Sequence, residues 1–411
     1  MMPDAARLRV CIPIPLYPPG FAGHGIQIQR SLPYLAARGI EPTVLTCALP
    51  GGDQGLPPDP VGRVDRVLTP VPGRVGDLRR ILQFRRYFED RHGDFDVIHS
   101  AMIGWEFLLN VRRLRGLGLP VLIEMVLLGS DDPVTVSRER FGSFKLGRLR
   151  EADFFTGISG PFLTQVLAAG IPASRYRLVP TGVDMKTYRP LEPGERRALR
   201  ARIGLPPEAR IVVSVGSVNH RKGVDRMLRA WEQVRPVAGR DLLVIVGPAS
   251  LDDGLLPEDL AYAGQQRDAA EGPALRGTVR WAGRVENVQD YLGTADLFLF
   301  LSRREGLGTV ILEASACGLP CVVSPLDGIA VEIIDPGRTG VIVGDPDDTA
   351  SVANCVMSLL DDPARRAALG AAARRTVEER YTLEARADAL ASIYRDLVAA
   401  GRQRRAKPGR A

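Results

Sequence analysis

The sequence predicts an α/β protein made of two doubly wound, Rossmann-like domains facing each other across a cleft. Three observations predict it. The chain has 411 residues, more than one ordinary compact core organises. Short apolar segments with strand character alternate with amphipathic ones along its length, the pattern of parallel sheets covered by helices. A single unit, in which an apolar strand runs into a glycine-bearing loop and then a helix, begins at residue 8 and recurs at residue 210.

The first half opens with a strand over 8–14 and a Pro/Gly loop over 15–25. A helical stretch follows over 28–38, with Ile28, Leu32, Leu35 and Ala36 on one stripe and Gly39 placed as its C-cap. Pro33 lies inside that stretch and predicts a kink or a late start. Further strands are predicted over 42–46, 96–99, 121–125, 154–158 and 177–179. Residues 188–210 turn polar and proline-rich (Pro190, Pro193, Pro206, Pro207), as an interdomain linker would. The second half then repeats the plan: a strand over 210–216 ending in Gly216, a loop over 217–223 and an amphipathic helix over 224–234. Its later strands are predicted over 242–247, 279–282, 297–301, 320–324 and 340–343. The expected domains are therefore 1–190 and 191–400, with a frayed basic tail over 401–411.

Composition narrows the function classes. Hydrophobic residues make up 45% and charged residues 25%, the mix of a globular protein rather than a disordered one. No apolar run reaches the roughly 18–20 residues of a membrane span, and residues 1–9 lack the apolar core of a secretory signal. Five cysteines do not make a disulfide framework in so long a chain. Cys317 and Cys321 have neither a second cysteine pair nor a histidine cluster nearby, so packing is expected there and no metal. Asp131-Asp132 and Asp252-Asp253 lie in predicted loops without a ligand partner at metal spacing. A reducing, cytoplasmic setting is the expectation.

The net charge of +6 is unevenly spread. Residues 1–190 hold 24 Lys and Arg against 18 Asp and Glu, and the rest of the 54 and 48 balance at 30 each. A basic first half suits an anionic substrate or a membrane surface contacted from its side, or is simply a solvated arginine-rich face. No aromatic-interleaved basic module is present, and no nucleic-acid partner is expected.

Ligands of open parallel sheets bind beyond the carboxyl ends of the strands. Residues 303–313 (Arg-Arg-Glu-Gly-Leu-Gly-Thr-Val-Ile-Leu-Glu) follow a predicted buried strand and open a helix near Thr309. Gly306 and Gly308 let a ligand approach the backbone, and the helix start offers unpaired N–H groups to phosphate or sugar hydroxyls. Thr309 and Glu313 are four apart and share a helix face, where a carboxylate can accept two hydrogen bonds from a vicinal diol. At this level Glu313 could equally be a solvated helix residue and Glu305 a cap. Arg221 and Lys222 sit in the loop after Gly216. Only four lysines (Lys145, Lys186, Lys222, Lys407) occur in the chain, and a lysine beside an arginine suits a diphosphate.

These residues resemble a known family. The second half is similar to the retaining glycosyltransferases of family 4, which have the GT-B architecture. Glu305 and Glu313, with seven residues between them, match the family's E-x7-E element, and the run from Glu305 to Pro320 is similar almost throughout. Lys222-Gly223 matches the Lys-Gly of its donor-diphosphate loop, although Ser217 follows Gly216 where an arginine is usual. In the first half, Thr181-Gly182-Val183-Asp184 resembles an Asn-Gly-Val-Asp turn. Gly23 is similar to the second glycine of a Gly-Gly element near the donor phosphate, Ala22 replacing the first. Residues 96–99 resemble the family's His-x-His segment, with His99 present and Ala101 where the second histidine often stands.

The resemblance implies transfer of a sugar from a nucleotide-diphosphate sugar with retention of configuration; with Arg221 and Lys222 supplying positive charge and no convincing Asp-x-Asp at a strand end, no metal cofactor is expected. Lys222, Arg221 and the glycine-rich backbone would stabilise the leaving diphosphate, Glu313 would hold the ribose and Glu305 would orient the sugar. The acceptor would bind the first half, and its basic excess is compatible with a lipid-linked or cell-surface glycan precursor. For His99 both sugar contact and packing stay open, with packing preferred. A nucleotide-sugar epimerase of the same architecture and a non-catalytic nucleotide-sugar binder are the alternatives.

Overall fold

The computed structural model describes residues 7–20, 23–49, 62–70, 73–101 and 103–406. It divides into two units, the first running to Gly182 and resuming at Leu383, the second spanning Val183–Thr382.

The first unit holds a seven-stranded sheet of β1 (Leu8–Pro13), β2 (Ile40–Cys47), β3 (Arg63–Leu68), β4 (Val97–Ser100), β5 (Val121–Met125), β6 (Phe154–Gly157) and β7 (Tyr176–Leu178), in the order β3-β2-β1-β4-β5-β6-β7. Every pairing is parallel. The chain starts in the middle, builds outward to β3, then returns beside β1 with β4. The strand direction of travel reverses there, which opens a crevice at the carboxyl ends of β1 and β4. All residues of β4 and β5 are buried, as expected for strands covered by helices on both faces.

The second unit repeats this with β8 (Arg210–Val215), β9 (Asp241–Val246), β10 (Val279–Gly283), β11 (Leu297–Phe300), β12 (Cys321–Val323) and β13 (Gly340–Ile342), ordered β10-β9-β8-β11-β12-β13 and again wholly parallel. Its reversal lies between β8 and β11. Phe298 pairs with Val213, so Phe300 is level with Val215 and the loops after the two strands emerge side by side.

The predicted two-sheet α/β architecture is borne out, and four details differ. β3 is absent from the predicted strands because Arg-Val-Asp-Arg-Val-Leu has no apolar run; it is a partly exposed edge strand. The first helix is Gly23–Ala36 and runs through Pro33, whose ring is on the exposed side. The expected linker over 188–210 contains a helix, Pro193–Arg202, in which Pro193 occupies the first turn where its missing N–H costs nothing. Arg196 and Arg200 fasten that helix to Asp296 at 2.7 and 3.0 Å, so it belongs to the second unit.

The fourth difference concerns the boundaries 1–190, 191–400 and 401–411. The change of unit falls at Gly182/Val183, and the last helix, Leu383–Ala406, returns to the first unit. Leu390, Ala391, Ile393, Tyr394 and Leu397 join Val10, Ile12, Leu32 and Val97 in one core. That apolar stripe is what carries the segment back. The helix also continues through residues 401–406, and 407–411 lie outside the described residues.

Candidate active site

Gly216 directly follows β8 with φ +153°, and a Cβ there would come within 3.1 Å of Lys222 Cδ and Cε. The glycine therefore makes room for the lysine stem to lie back over the strand end. A short turn, His220–Lys222, follows, with the Asn219 side chain accepting from Lys222 N at 3.1 Å. Gly223, at φ +70°, starts the helix Val224–Val234, and any Cβ would meet the Leu301 carbonyl oxygen at 2.1 Å. The loop after β8 is thereby pressed against the loop after β11, and Arg303 N donates to Arg221 O at 2.7 Å to close the seam.

Glu305 is the meeting point. Its Oε1 accepts from Lys222 Nζ at 2.7 Å, Arg221 Nη1 at 2.9 Å and Ser302 Oγ at 2.7 Å. Lys222 Nζ also lies 5.0 Å from the centre of the Phe300 ring, a cation–π distance. Burial opposes ionisation of Glu305, but the charges of Lys222 and Arg221 outweigh it and hold the carboxyl below the ordinary value. Burial also lowers Lys222 from the usual lysine range, with Glu305 acting against that shift. A second ion pair braces the cluster from behind. Arg303 donates to both oxygens of Asp225 at 2.8 and 2.7 Å, and Tyr262 Oη donates to the same carboxylate at 2.7 Å.

Gly306 and Gly308 are buried in the turn that follows, and Gly308, at φ +81°, caps the helix Thr309–Ala316. Thr309 is its first residue and partly exposed, and Glu313, one turn on, is 5% exposed. A solvated Glu313 is thus excluded. The structure brings Arg221, Lys222, Glu305 and Gly216 into direct contact, with Gly306, Gly308 and Thr309 on the same connection. Ser302, Phe300 and the Arg303–Asp225–Tyr262 brace are partners that sequence reasoning missed; Ser302, directly after a wholly buried strand end, carried the visible signal.

Gly23 and His99 belong to the first unit. Gly23 is exposed and opens the helix Gly23–Ala36; Ala22 lies outside the described residues. His99, in β4, is fully buried. Its Nδ1 is 2.7 Å from Tyr394 Oη and its Nε2 is 3.4 Å from Glu124 Oε2. Glu124 also takes Arg386 Nη2 at 2.5 Å and faces His24 Nε2 at 3.5 Å. Burial raises Glu124, yet Arg386 and the two histidines hold it far below the usual carboxylate range. His24 is pushed down to about 4, chiefly by burial. A glutamate inside the otherwise apolar Val-Leu-Ile-Glu-Met strand signals a buried partner. That partner, Arg386, is 262 residues away and could not be read from sequence.

The Asp131-Asp132 pair has structural work. Asp131 accepts from Val126 N and Leu127 N at 2.9 and 2.8 Å, and Asp132 caps the helix Pro133–Arg138 through Thr135 N at 2.8 Å. Among the described residues no three His, Cys, Asp or Glu side chains are grouped so as to hold a metal ion.

Two parallel sheets, each with its strand order reversing beside its first strand, define the GT-B class of glycosyltransferase folds. The Anabaena HepE structure with UDP-glucose has the same fold, with a TM-score of 0.78 at 18% identity over 95% of this chain and all of that one. The model of the glycosyl transferases group 1 matches residues 195–376, and that of the glycosyl transferase 4-like domain matches residues 22–182. D-inositol 3-phosphate glycosyltransferase 1 of Catenulispora acidiphila is 30% identical over 346 residues, 80% of this chain and 79% of its own length. A GDP-mannose-dependent monoacylated phosphatidylinositol monomannoside mannosyltransferase of Corynebacterium glutamicum is 32% identical over 255 residues. That match takes in 59% of this chain and 62% of the relative, less than two thirds of its length. The chain belongs to glycosyltransferase family 4.

Proposed function

We propose that the protein is a retaining glycosyltransferase that moves a sugar from a nucleotide-diphosphate sugar to an acceptor. The observation that carries this reading is the convergence of Lys222 and Arg221 on Glu305 where the second sheet reverses. Glycosyl transfer from such a donor builds negative charge on the leaving diphosphate. Fixed cations in a site shielded from water stabilise that charge most effectively. Lys222 and Arg221 supply them, with the backbone at Gly216, Gly306, Gly308 and Thr309 offering further donors. Glu313 accepts the ribose hydroxyls. Glu305 orients the transferred sugar and, before donor binds, keeps the two cations in place. His99 is assigned to packing through Tyr394 and Glu124. This chemistry calls for no metal.

The acceptor is assigned to the first unit. The net positive charge of residues 1–190 and the phosphatidylinositol-mannoside acceptor named for the Corynebacterium relative both support a lipid-linked or cell-surface glycan precursor. Five free thiols support a cytoplasmic setting, and among the described residues no helix is long and apolar enough to cross a membrane. A thermal-shift screen over UDP-, GDP-, ADP- and TDP-sugars tests the donor assignment. One nucleotide class is expected to raise the melting temperature; no shift with any of them would overturn it.

A further inference from the structure

We propose that the second unit holds a binding site for a small phosphate-bearing anion, at the end of its sheet opposite the Lys222–Glu305 cluster. A cavity of about 560 Å³ lies where β8 and β11 begin, lined by Arg210 at the start of β8 and by Asp296 just before β11. Lys222 and Glu305 follow the far ends of these same two strands. The volume suits a small molecule rather than a lone ion.

Arginine dominates the walls. Arg196, Arg197 and Arg200 come from one face of the helix Pro193–Arg202, Arg210 from β8 and Arg366 from the helix Pro363–Arg380. The acids on the lining are Glu208, paired with Arg197, and Asp296, shared by Arg196 and Arg200. Beyond the lining, Arg210 pairs with Asp361 and with Asp241, which Arg240 shares. Arg366 has no carboxylate partner among the described residues. Burial and the neighbouring Arg196 charge lower Arg200 from the ordinary arginine value, against the pull of Asp296. One carboxylate does not offset two crowded guanidiniums, and an anion would relieve the excess.

Three of these guanidiniums are only half engaged. Arg200 uses all three nitrogens, on the carbonyls of Thr294, Pro207 and Ala209 and on Asp296. Arg196 bonds through Nε and Nη2, Arg210 through Nε and Nη1, and Arg366 through Nη1 to the carbonyls of Leu359 and Leu360, both at 2.6 Å. Arg196 Nη1, Arg210 Nη2 and Arg366 Nη2 make no hydrogen bond among the described residues. Each side chain is therefore already fixed by the protein, so little further ordering is needed to bind a ligand. Three such nitrogens from three separate elements suit the tetrahedral oxygens of a phosphate, whereas a planar carboxylate is matched by a single fork.

The inference goes beyond sugar transfer, and its test needs neither donor sugar nor acceptor. A phosphate probe could also reach the Lys222–Arg221 pair, so the full chain is titrated as Lys222→Ala. The probes are inorganic pyrophosphate and glycerol 3-phosphate, with malonate as the carboxylate control, followed by calorimetry and melting temperature. At least one phosphate probe is expected to bind one to one, to raise the melting temperature and to weaken with salt. The tighter of the two tells a diphosphate ligand from a phosphate ester. Adding Arg366→Gln or Arg196→Gln is expected to weaken binding at least about tenfold. Arg197→Glu, on an exposed side chain paired with Glu208, should weaken it several-fold without disturbing the fold. Arg338→Gln, an exposed arginine outside the lining, should leave it unchanged. Circular dichroism confirms that each variant folds. Absence of binding by both phosphate probes, malonate binding as tightly as they do, or binding that survives Arg366→Gln and Arg197→Glu would overturn the proposal.

Discussion

Lys222 Nζ donates to Glu305 Oε1 across 2.7 Å, joining two residues 83 positions apart at the ends of adjacent parallel strands. Arg221 and Ser302 converge on the same oxygen, so one carboxylate holds both cations of the loop after β8. On the proposed reading a donor diphosphate competes with Glu305 for these cations, and its arrival frees that carboxylate to turn to the sugar.

Lys222→Ala is accordingly expected to lower turnover at least about tenfold, as loss of one charge-assisted contact of roughly 1.5–3 kcal/mol implies. Arg221→Ala should fall in the same direction and by less, because its guanidinium is more exposed, 32% against 14% for Lys222. Steady-state kinetics on folded variants decides it. Wild-type turnover in both would remove the diphosphate assignment.

Glu313 and Glu305 should separate by ligand. Glu313→Ala is expected to weaken binding of the bare nucleoside diphosphate several-fold in calorimetry. Glu305→Gln should spare that binding and reduce turnover. The reverse pattern would exchange the two roles.

His99→Asn should cost less than about tenfold in turnover, about the 1.4 kcal/mol of one neutral hydrogen bond. Tyr394→Phe, which removes the partner of Nδ1, should lower the melting temperature and leave kcat near wild type. A turnover loss at His99 matching that at Glu313, with the fold intact, would move His99 into the reacting site.

Acid should weaken the first unit through His24. Its folded pKa of about 4 lies below the ordinary histidine value of about 6.5. Between those limits the unfolded chain binds more protons, so stability falls as pH falls from about 6.5 toward 4. Glu124, His99 and Arg386 face His24, and Glu124 stays ionised in the folded state across this window. Asp131, pushed up to about 6 by burial, works in the opposite sense, so the informative quantity is the difference between wild type and variant. His24→Gln should flatten the acid limb of a denaturant-midpoint profile. An unchanged limb would contradict the burial of an uncharged His24.

Much of this was legible in the sequence because it is local. Glycines at strand ends, the lysine in an arginine-biased chain, and two glutamates with seven residues between them are each readable from a short stretch of the chain. The residues that bind those pieces together were not legible. Nothing near Glu305 announces Lys222, since only the pairing of β8 with β11 brings them level. The return of the last helix depended on a stripe from Leu390 to Leu397 that fits either unit equally well as a pattern. Prolines at 190–207 looked like a linker because Pro193 begins a helix as readily as it ends one. Edge strand β3 lacked the apolar run that marks buried strands.

The central claim is transfer of a sugar from a nucleotide donor. The most direct measurement is release of nucleoside diphosphate from the donor that binds, with chelator present, with and without a lipid-linked acceptor fraction, followed by mass analysis of that fraction. The account predicts acceptor-dependent release together with an acceptor heavier by one sugar, both lost in Lys222→Ala. Donor bound tightly with no acceptor-dependent release, or donor isomerised with no acceptor modified, would contradict it.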